Sequence, residues 1–121
     1  MTDPIRLYEI NGEVCKLQCR AVSIAVSNNA TVIAATTGRI IRVMGFVIQG
    51  DGGVAKVTFK DGSGGATIFG PIVVSSSTTP GQLAIGIVNS GYFETSSGVG
   101  LFADVATTAA NFNVFYISYP V

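Results

Sequence analysis

The chain has 121 residues, of which 48% are hydrophobic and 15 are glycine, with two cysteines and neither histidine nor tryptophan. That length holds one domain with a single core. Seven basic residues balance seven acidic ones, a poor basis for neutralising phosphates, and the missing histidine removes Ser-His-Asp and Cys-His catalysis along with the commonest metal ligand.

Taken in chain order, residues 1–19 mix charged and apolar side chains without a clear period, and Gly12 interrupts them. They read as an N-terminal arm or edge strand, and residues 20–121 as the folded domain. Cys15 and Cys19 stand four positions apart. In an extended segment that is about 13 Å, beyond the roughly 4.4–6.8 Å between the Cα atoms of a disulfide. Even spacing predicts both thiols on one strand face, as small buried groups. A metal site would need two further ligands, with no histidine to supply them.

From residue 20 onward the period is two, in runs of Val, Ile, Thr, Phe and Tyr. Val22, Ile24 and Val26 share one side, with Ala21, Ser23 and Ala25 opposite. Asn28-Asn29 predicts a turn before a short strand at 31–35, and Thr37-Gly38 breaks the chain again. In the run 39–49, Ile40, Met44, Phe46 and Ile48 share one face and Ile41, Val43 and Val47 the other. Apolar character on both faces predicts a central strand, or one packed on the core and on a neighbouring subunit. Gly50-Asp51-Gly52-Gly53 then predicts a hairpin into 54–60, where Ala55, Val57 and Phe59 point inward and Lys56, Thr58 and Lys60 outward.

A second turn at 61–65 precedes two short strands, 66–69 and 72–75, separated by Gly70-Pro71. Residues 76–81 read as an exposed loop. Leu83, Ile85 and Ile87 define one face of the next strand, and Asn89-Ser90-Gly91 turns into 92–95. Leu101, Ala103 and Val105 then alternate with Phe102 and Asp104. The last strand, 112–119, sets Phe115 and Tyr119 on one face and Phe112 and Tyr116 on the other; one face belongs to the core and the other to a protein interface. No stretch carries a capped helical period. Short strands at spacings of about 8–12 residues predict a β-sandwich or barrel.

The chemistry-bearing residues are few. The stretch 61–70 (DGSGGATIFG) has no Walker lysine and opens no helix, so its glycines read as turn residues. Asp51 and Asp61 have no second carboxylate nearby to build a calcium site. Nothing pairs any two of Asp51, Asp61, Glu94 and Asp104 as a hydrolase would require. The expectation is a non-enzyme with no catalytic residue, cofactor or metal.

Charge is unevenly distributed. All seven cationic side chains precede residue 62, and residues 62–121 carry only Glu94 and Asp104. Ordinary soluble surfaces are roughly 25–35% charged, whereas this chain is 12% charged overall. Part of the C-terminal half is therefore expected to lie against other chains. Residues 62–93 lack charge, but Gly, Ser, Thr, Asn and Pro throughout exclude a membrane span. Asn29-Ala30-Thr31 matches a glycosylation acceptor. No cationic and apolar leader opens the sequence, so synthesis in a cytoplasm is expected and the match is read as chance.

The stretch Asn89-Ser90-Gly91-Tyr92-Phe93-Glu94-Thr95-Ser96-Ser97-Gly98-Val99-Gly100-Leu101 resembles a segment of small structural proteins of tailed bacteriophages. The layout before it is similar too: Ile41-Arg42-Val43, a Gly turn, Val57-Thr58-Phe59-Lys60, a Gly/Ser turn and Pro71. The likeness spans about residues 30–121 and lies nearest to head decoration, or cement, proteins. It implies a jelly-roll-like or related sandwich, usually trimeric, that sits on the assembled capsid and clamps neighbouring major capsid proteins. The expected fold is thus all-β: a jelly-roll-like β-sandwich of eight or nine short antiparallel strands with an N-terminal arm, by analogy reaching a neighbouring subunit or the capsid. Candidate interface residues are Ile5, Arg6, Leu7, Tyr8, Arg39, Arg42, Tyr92, Phe93, Phe115 and Tyr119. Arg20 joins the arginines as a candidate contact to an acidic partner surface. The expected partners are further copies of the chain, as a homotrimer, and the major capsid protein on the virion surface, with no nucleic acid or membrane. The alternative is a tail-tip or host-surface recognition module with Tyr92, Phe93 and the 75–81 loop in a ligand site.

Overall fold

The computed structural model describes residues 7–50, 54–74 and 82–121, which form β-strands and no helix. In chain order these are β1 (Leu7–Ile10), β2 (Glu13–Lys16), β3 (Gln18–Ile24), β4 (Ser27–Ile33), β5 (Arg39–Gly50) and β6 (Ala55–Asp61). They continue with β7 (Thr67–Val74), β8 (Gln82–Ile85), β9 (Phe93–Glu94), β10 (Leu101–Ala106) and β11 (Ala110–Pro120). One sheet has the order β3-β11-β5-β8, with β9 pairing further along the same edge of β5; the other has the order β4-β10-β6-β7. Every pairing is antiparallel, and β1 with β2 forms a separate two-stranded sheet. The architecture is an all-β sandwich.

The two inner faces meet in one main core. Phe46, Phe59 and Phe112 are fully buried there with Val43, Val57, Leu101, Val105 and Val114. Phe59 touches the other two rings edge-on, at centroid distances of 5.5 Å to Phe46 and 6.0 Å to Phe112. Such pairs add to the large apolar burial that each ring already supplies. On β6 the alternation is as the sequence predicts, with Ala55, Val57 and Phe59 buried and Lys56 exposed.

The hairpin predicted at 50–53 does not form. β5 pairs with β11, β8 and β9, whereas β6 pairs with β10 and β7, so the chain crosses between sheets there. Glycine-rich turn signals mark a change of direction and do not say which strand comes next to which. β5 is claimed instead by the C-terminal strand, which pairs along almost its whole length from Ala110↔Gly50 to Pro120↔Arg39. Asp51 and the rest of that turn, like the 75–81 loop, Ile5 and Arg6, lie outside the described residues.

A bulge reshapes β5. Phe115 pairs Gly45 and Tyr116 pairs Val43, leaving Met44 as the extra residue. Before the bulge Ile41 and Val43 face the main core; after it Phe46 and Ile48 do. Ile40 and Met44 face outward into a second cluster with Cys15, Ile117 and Tyr119. The expected grouping of Ile40 and Met44 with Phe46 and Ile48 is corrected accordingly. The same shift separates Ile87, which joins this outer cluster, from Leu83 and Ile85 in the main core.

The outer cluster lies under residues 7–17, which fold back as the β1–β2 hairpin on their own sandwich. The second apolar face of β5 and the Tyr119 end of β11 are thus covered by the chain's own arm. Cys15 and Cys19 do not share a face. Cys15 is buried beneath the hairpin, while Cys19 is exposed on β3, because the chain passes from one sheet to another at Leu17. Asn29 lies inside β4 at φ 60°, not in a turn before it, beside shifts in the β10–β4 register. Residues 67–69 and 72–74, expected as parts of two strands, belong to the single strand β7, which bulges where Phe69 pairs Phe59 and Ile72 pairs Val57. Val26, beyond the end of β3, is exposed.

Candidate interaction surfaces

The segment 91–96 binds the two sheets together at one corner, and each residue in it has an internal task. Gly91 has φ 76°, and a Cβ there would stand 3.2 Å from the Val43 carbonyl and closer to the Arg42 side chain; glycine alone tolerates that backbone. Tyr92 is 39% exposed, and its hydroxyl donates to the Gly86 carbonyl at 2.6 Å. Phe93 turns inward, stacked on Phe69 at 4.9 Å and 5.2 Å from Phe59. The Thr95 amide donates to the Ile41 carbonyl at 2.9 Å, and Thr95 Oγ1 accepts from the Ile41 amide at 3.2 Å. Asp61, at the end of β6 in the opposite sheet, accepts from the Ser96 amide at 2.8 Å and the Ser96 hydroxyl at 2.5 Å.

Glu94 completes the corner. Its Oε2 accepts from the Tyr119 hydroxyl at 2.5 Å and from Arg42 Nε at 3.1 Å. The Arg42 guanidinium carbon lies 4.9 Å from the centre of the Tyr119 ring, a cation–π contact. Burial, then the bond to Glu94, pushes the Tyr119 phenol above its ordinary range.

Arg39 is also engaged within the chain. Its two terminal nitrogens fork onto the Glu13 carboxylate, and it further donates to the Ser118 hydroxyl at 2.9 Å and the Ser118 carbonyl at 2.7 Å. The Arg39 hydrogen bond holds the Glu13 carboxyl below the usual carboxylate range. Burial, then the neighbouring Glu13, pushes the Cys15 thiol up. The fork pins the β1–β2 hairpin to the sandwich.

These placements sort the candidate interface residues. Arg39, Arg42, Phe93 and Tyr119 work inside the molecule, whereas Leu7 is 61% exposed, Tyr92 is exposed, and Tyr8 and Phe115 are half-buried. Arg20 is exposed on β3. Asp104 is bonded too: it accepts from the Asn29 amide at 2.7 Å and lies 3.8 Å from Lys60 Nζ. Among the described residues no three His, Cys, Asp or Glu side chains converge as a metal site. Thr95, Ser96, Glu13 and Ser118 carry contacts that alternation alone does not mark.

Two outward surfaces stand apart from this internal wiring. One is an open groove of ≈ 950 Å³ between Leu7, Tyr8, Glu9 and Ile10 on one wall and Arg42, Ile87, Val88 and Asn89 on the other. Through Arg42 it adjoins a smaller hollow of ≈ 350 Å³ along 90–94 that includes Tyr92. The other is the part of the β3-β11-β5-β8 outer face that the hairpin leaves uncovered. Its cross-strand rows are Cys19–Phe115, Ala21–Asn113–Val47–Ala84 and Ser23–Asn111–Gln49. None of those side chains is charged. No protein-family model and no curated protein matches the chain.

Proposed function

We propose that the protein is a virion structural protein: a homotrimeric decoration, or cement, protein that binds the assembled phage head and stabilises it. The observation that carries this reading is the uncharged part of the outer face of the β3-β11-β5-β8 sheet, the rows from Ala21 to Ala84 and from Ser23 to Gln49 that the hairpin leaves uncovered. A sheet face turned to water ordinarily carries charge; one without it is suited to lie against another copy of the chain. The strand order supports a jelly-roll-like fold. Counted from β3, with β8 and β9 taken as one edge, it runs 1-8-3-6 opposite 2-7-4-5. Successive strands mostly alternate between sheets in that order, as in the double-sheet jelly roll frequent in capsid proteins. The segment likeness around 89–101 points the same way, and residues 91–96 within it hold one corner of the sandwich together. The major capsid protein is the proposed partner, and the capsid surface the proposed location, after synthesis in the host cytoplasm. Light scattering on a sizing column tests the assembly: a species near three times 12.5 kDa is expected. Co-sedimentation with preformed heads tests the partner. A monomer that ignores heads overturns the proposal.

The groove beside β1 favours a second reading, a tail-tip or host-surface recognition module. Tyr8 lines the groove and the partly exposed Tyr92 lies in the adjoining hollow, aromatic side chains of the kind that stack on sugars. A glycan array decides it: saturable binding lost in Tyr92→Ala supports the module, and a blank array with folded protein removes it.

A further inference from the structure

The two apolar clusters share no residue. The main core runs between the two sheets, and the outer cluster joins Cys15 to Met44, Ile117 and Tyr119 beneath the β1–β2 hairpin. Among the described residues no backbone hydrogen bond joins the hairpin to either sheet, and only Leu17 separates β2 from β3. The hairpin is held by side chains alone. Cys15 is the one residue of β1 and β2 that is buried, while Leu7 and Val14 are exposed. The polar fastenings are the Arg39–Glu13 fork, the Asn11 amide donating to the Pro120 carbonyl at 2.8 Å, and a long Tyr8–Asn89 contact of 3.4 Å. A two-stranded hairpin has little stability of its own, and elements with few buried contacts open before the global transition.

We infer that the β1–β2 hairpin is a strap that lifts from the sandwich as a unit while the sandwich stays folded, uncovering an apolar strip of Ile40, Met44, Ile87, Ile117 and Tyr119. The strap itself is the ordinary occupant of that strip, and the Glu13–Arg39 fork is its fastening. The main core is untouched by the movement because none of its buried residues contributes to the strip. Opening also frees Cys15, the only other thiol besides the already exposed Cys19, so the chain carries its own reporter.

Full-length protein carrying Cys19→Ser leaves Cys15 as the single thiol. Its reaction with the disulfide reagent DTNB is followed across a urea series, with global unfolding read by far-UV circular dichroism on the same samples. The labelling rate of the urea-unfolded chain supplies the reference for a fully open thiol. Without urea Cys15 is expected to react at least about tenfold faster than the global unfolding constant allows, with a nearly flat urea dependence. Glu13→Gln is expected to raise that rate about tenfold while the dichroism midpoint stays in place. Val14→Lys, on the solvent side of the strap, is expected to leave the rate unchanged. Labelling that follows global unfolding at every urea concentration overturns the strap. Local opening that ignores Glu13→Gln, or that Val14→Lys accelerates equally, overturns the fork as its fastening.

Discussion

The two sheets present the same kind of inner face and very different outer ones. Inward, both supply aromatic and branched side chains to one core, with Phe46 and Phe112 from one sheet and Phe59 from the other. Outward, β6 and β10 carry Lys56, Lys60 and Asp104, with Lys60 also donating to Thr67 at 3.1 Å. That is an ordinary wet face. The outer face of the β3-β11-β5-β8 sheet has a strap over an apolar strip at one end and an uncharged platform at the other. Two-residue alternation builds both sheets equally well, so what distinguishes them resides in the outward half of each strand.

The largest effect should come from the element both sheets share. Phe59→Ala leaves a void between Phe46, Phe93 and Phe112 and is expected to cost about 3–5 kcal/mol in urea unfolding. A loss below about 1 kcal/mol would mean that the faces do not depend on one common core. Next comes the contrast between the outer faces. If the chain assembles as proposed, Ala21→Lys with Asn113→Lys is expected to reduce the trimer to a 12.5 kDa monomer, by light scattering, with the dichroism spectrum retained. The mirror change on the other sheet, Thr58→Lys, should leave the mass unaltered. Equal responses from the two faces would erase the distinction.

A smaller change is expected at the corner. Glu94→Gln leaves Tyr119 and Arg42 with a neutral acceptor, and about 1 kcal/mol of stability should go, since the pair is partly open to water. The mildest effect is one of pH. The Glu13 carboxyl lies below its ordinary value in the folded protein, so its contribution is complete above the unfolded value, about 4.3, and fades as pH falls through the folded one. Cys15 labelling should therefore speed up, relative to the unfolded reference, on the acid side alone. Glu13→Gln should flatten that profile. Arg39 and Cys15 are the titratable groups facing Glu13, and neither changes charge in that window.

Much of this was legible from the residues. β6 has its inward set as expected because Val57 and Phe59 alternate with polar partners, and no other assignment buries them. The strand after residue 39 was legible as two-faced, but what covered its second face was not. The cover is residues 7–17, whose mixed composition follows from facing strip and solvent in a hairpin of four-residue strands. The sheet assignment of β5 and β6 was hidden because turn residues report a change of direction and not the identity of the neighbouring strand. The platform left a faint sign in Ala21 and Ser23, small residues at the outward positions of β3. The Glu13–Arg39 and Asp61–Ser96 contacts join distant parts of the chain that no local period relates.

The extra residue at Met44 works as a phase shift within one strand. Positions 41 and 43 address the inside before it, and 46 and 48 after it, while 40 and 44 address the strap. Two lists of side chains are thereby interleaved on one backbone without sharing a member. Met44 can be exchanged for other side chains that suit a different cover, and no neighbour in the main core need change with it. The sandwich and its cover can therefore vary independently, a form of modularity that fits inside twelve consecutive residues.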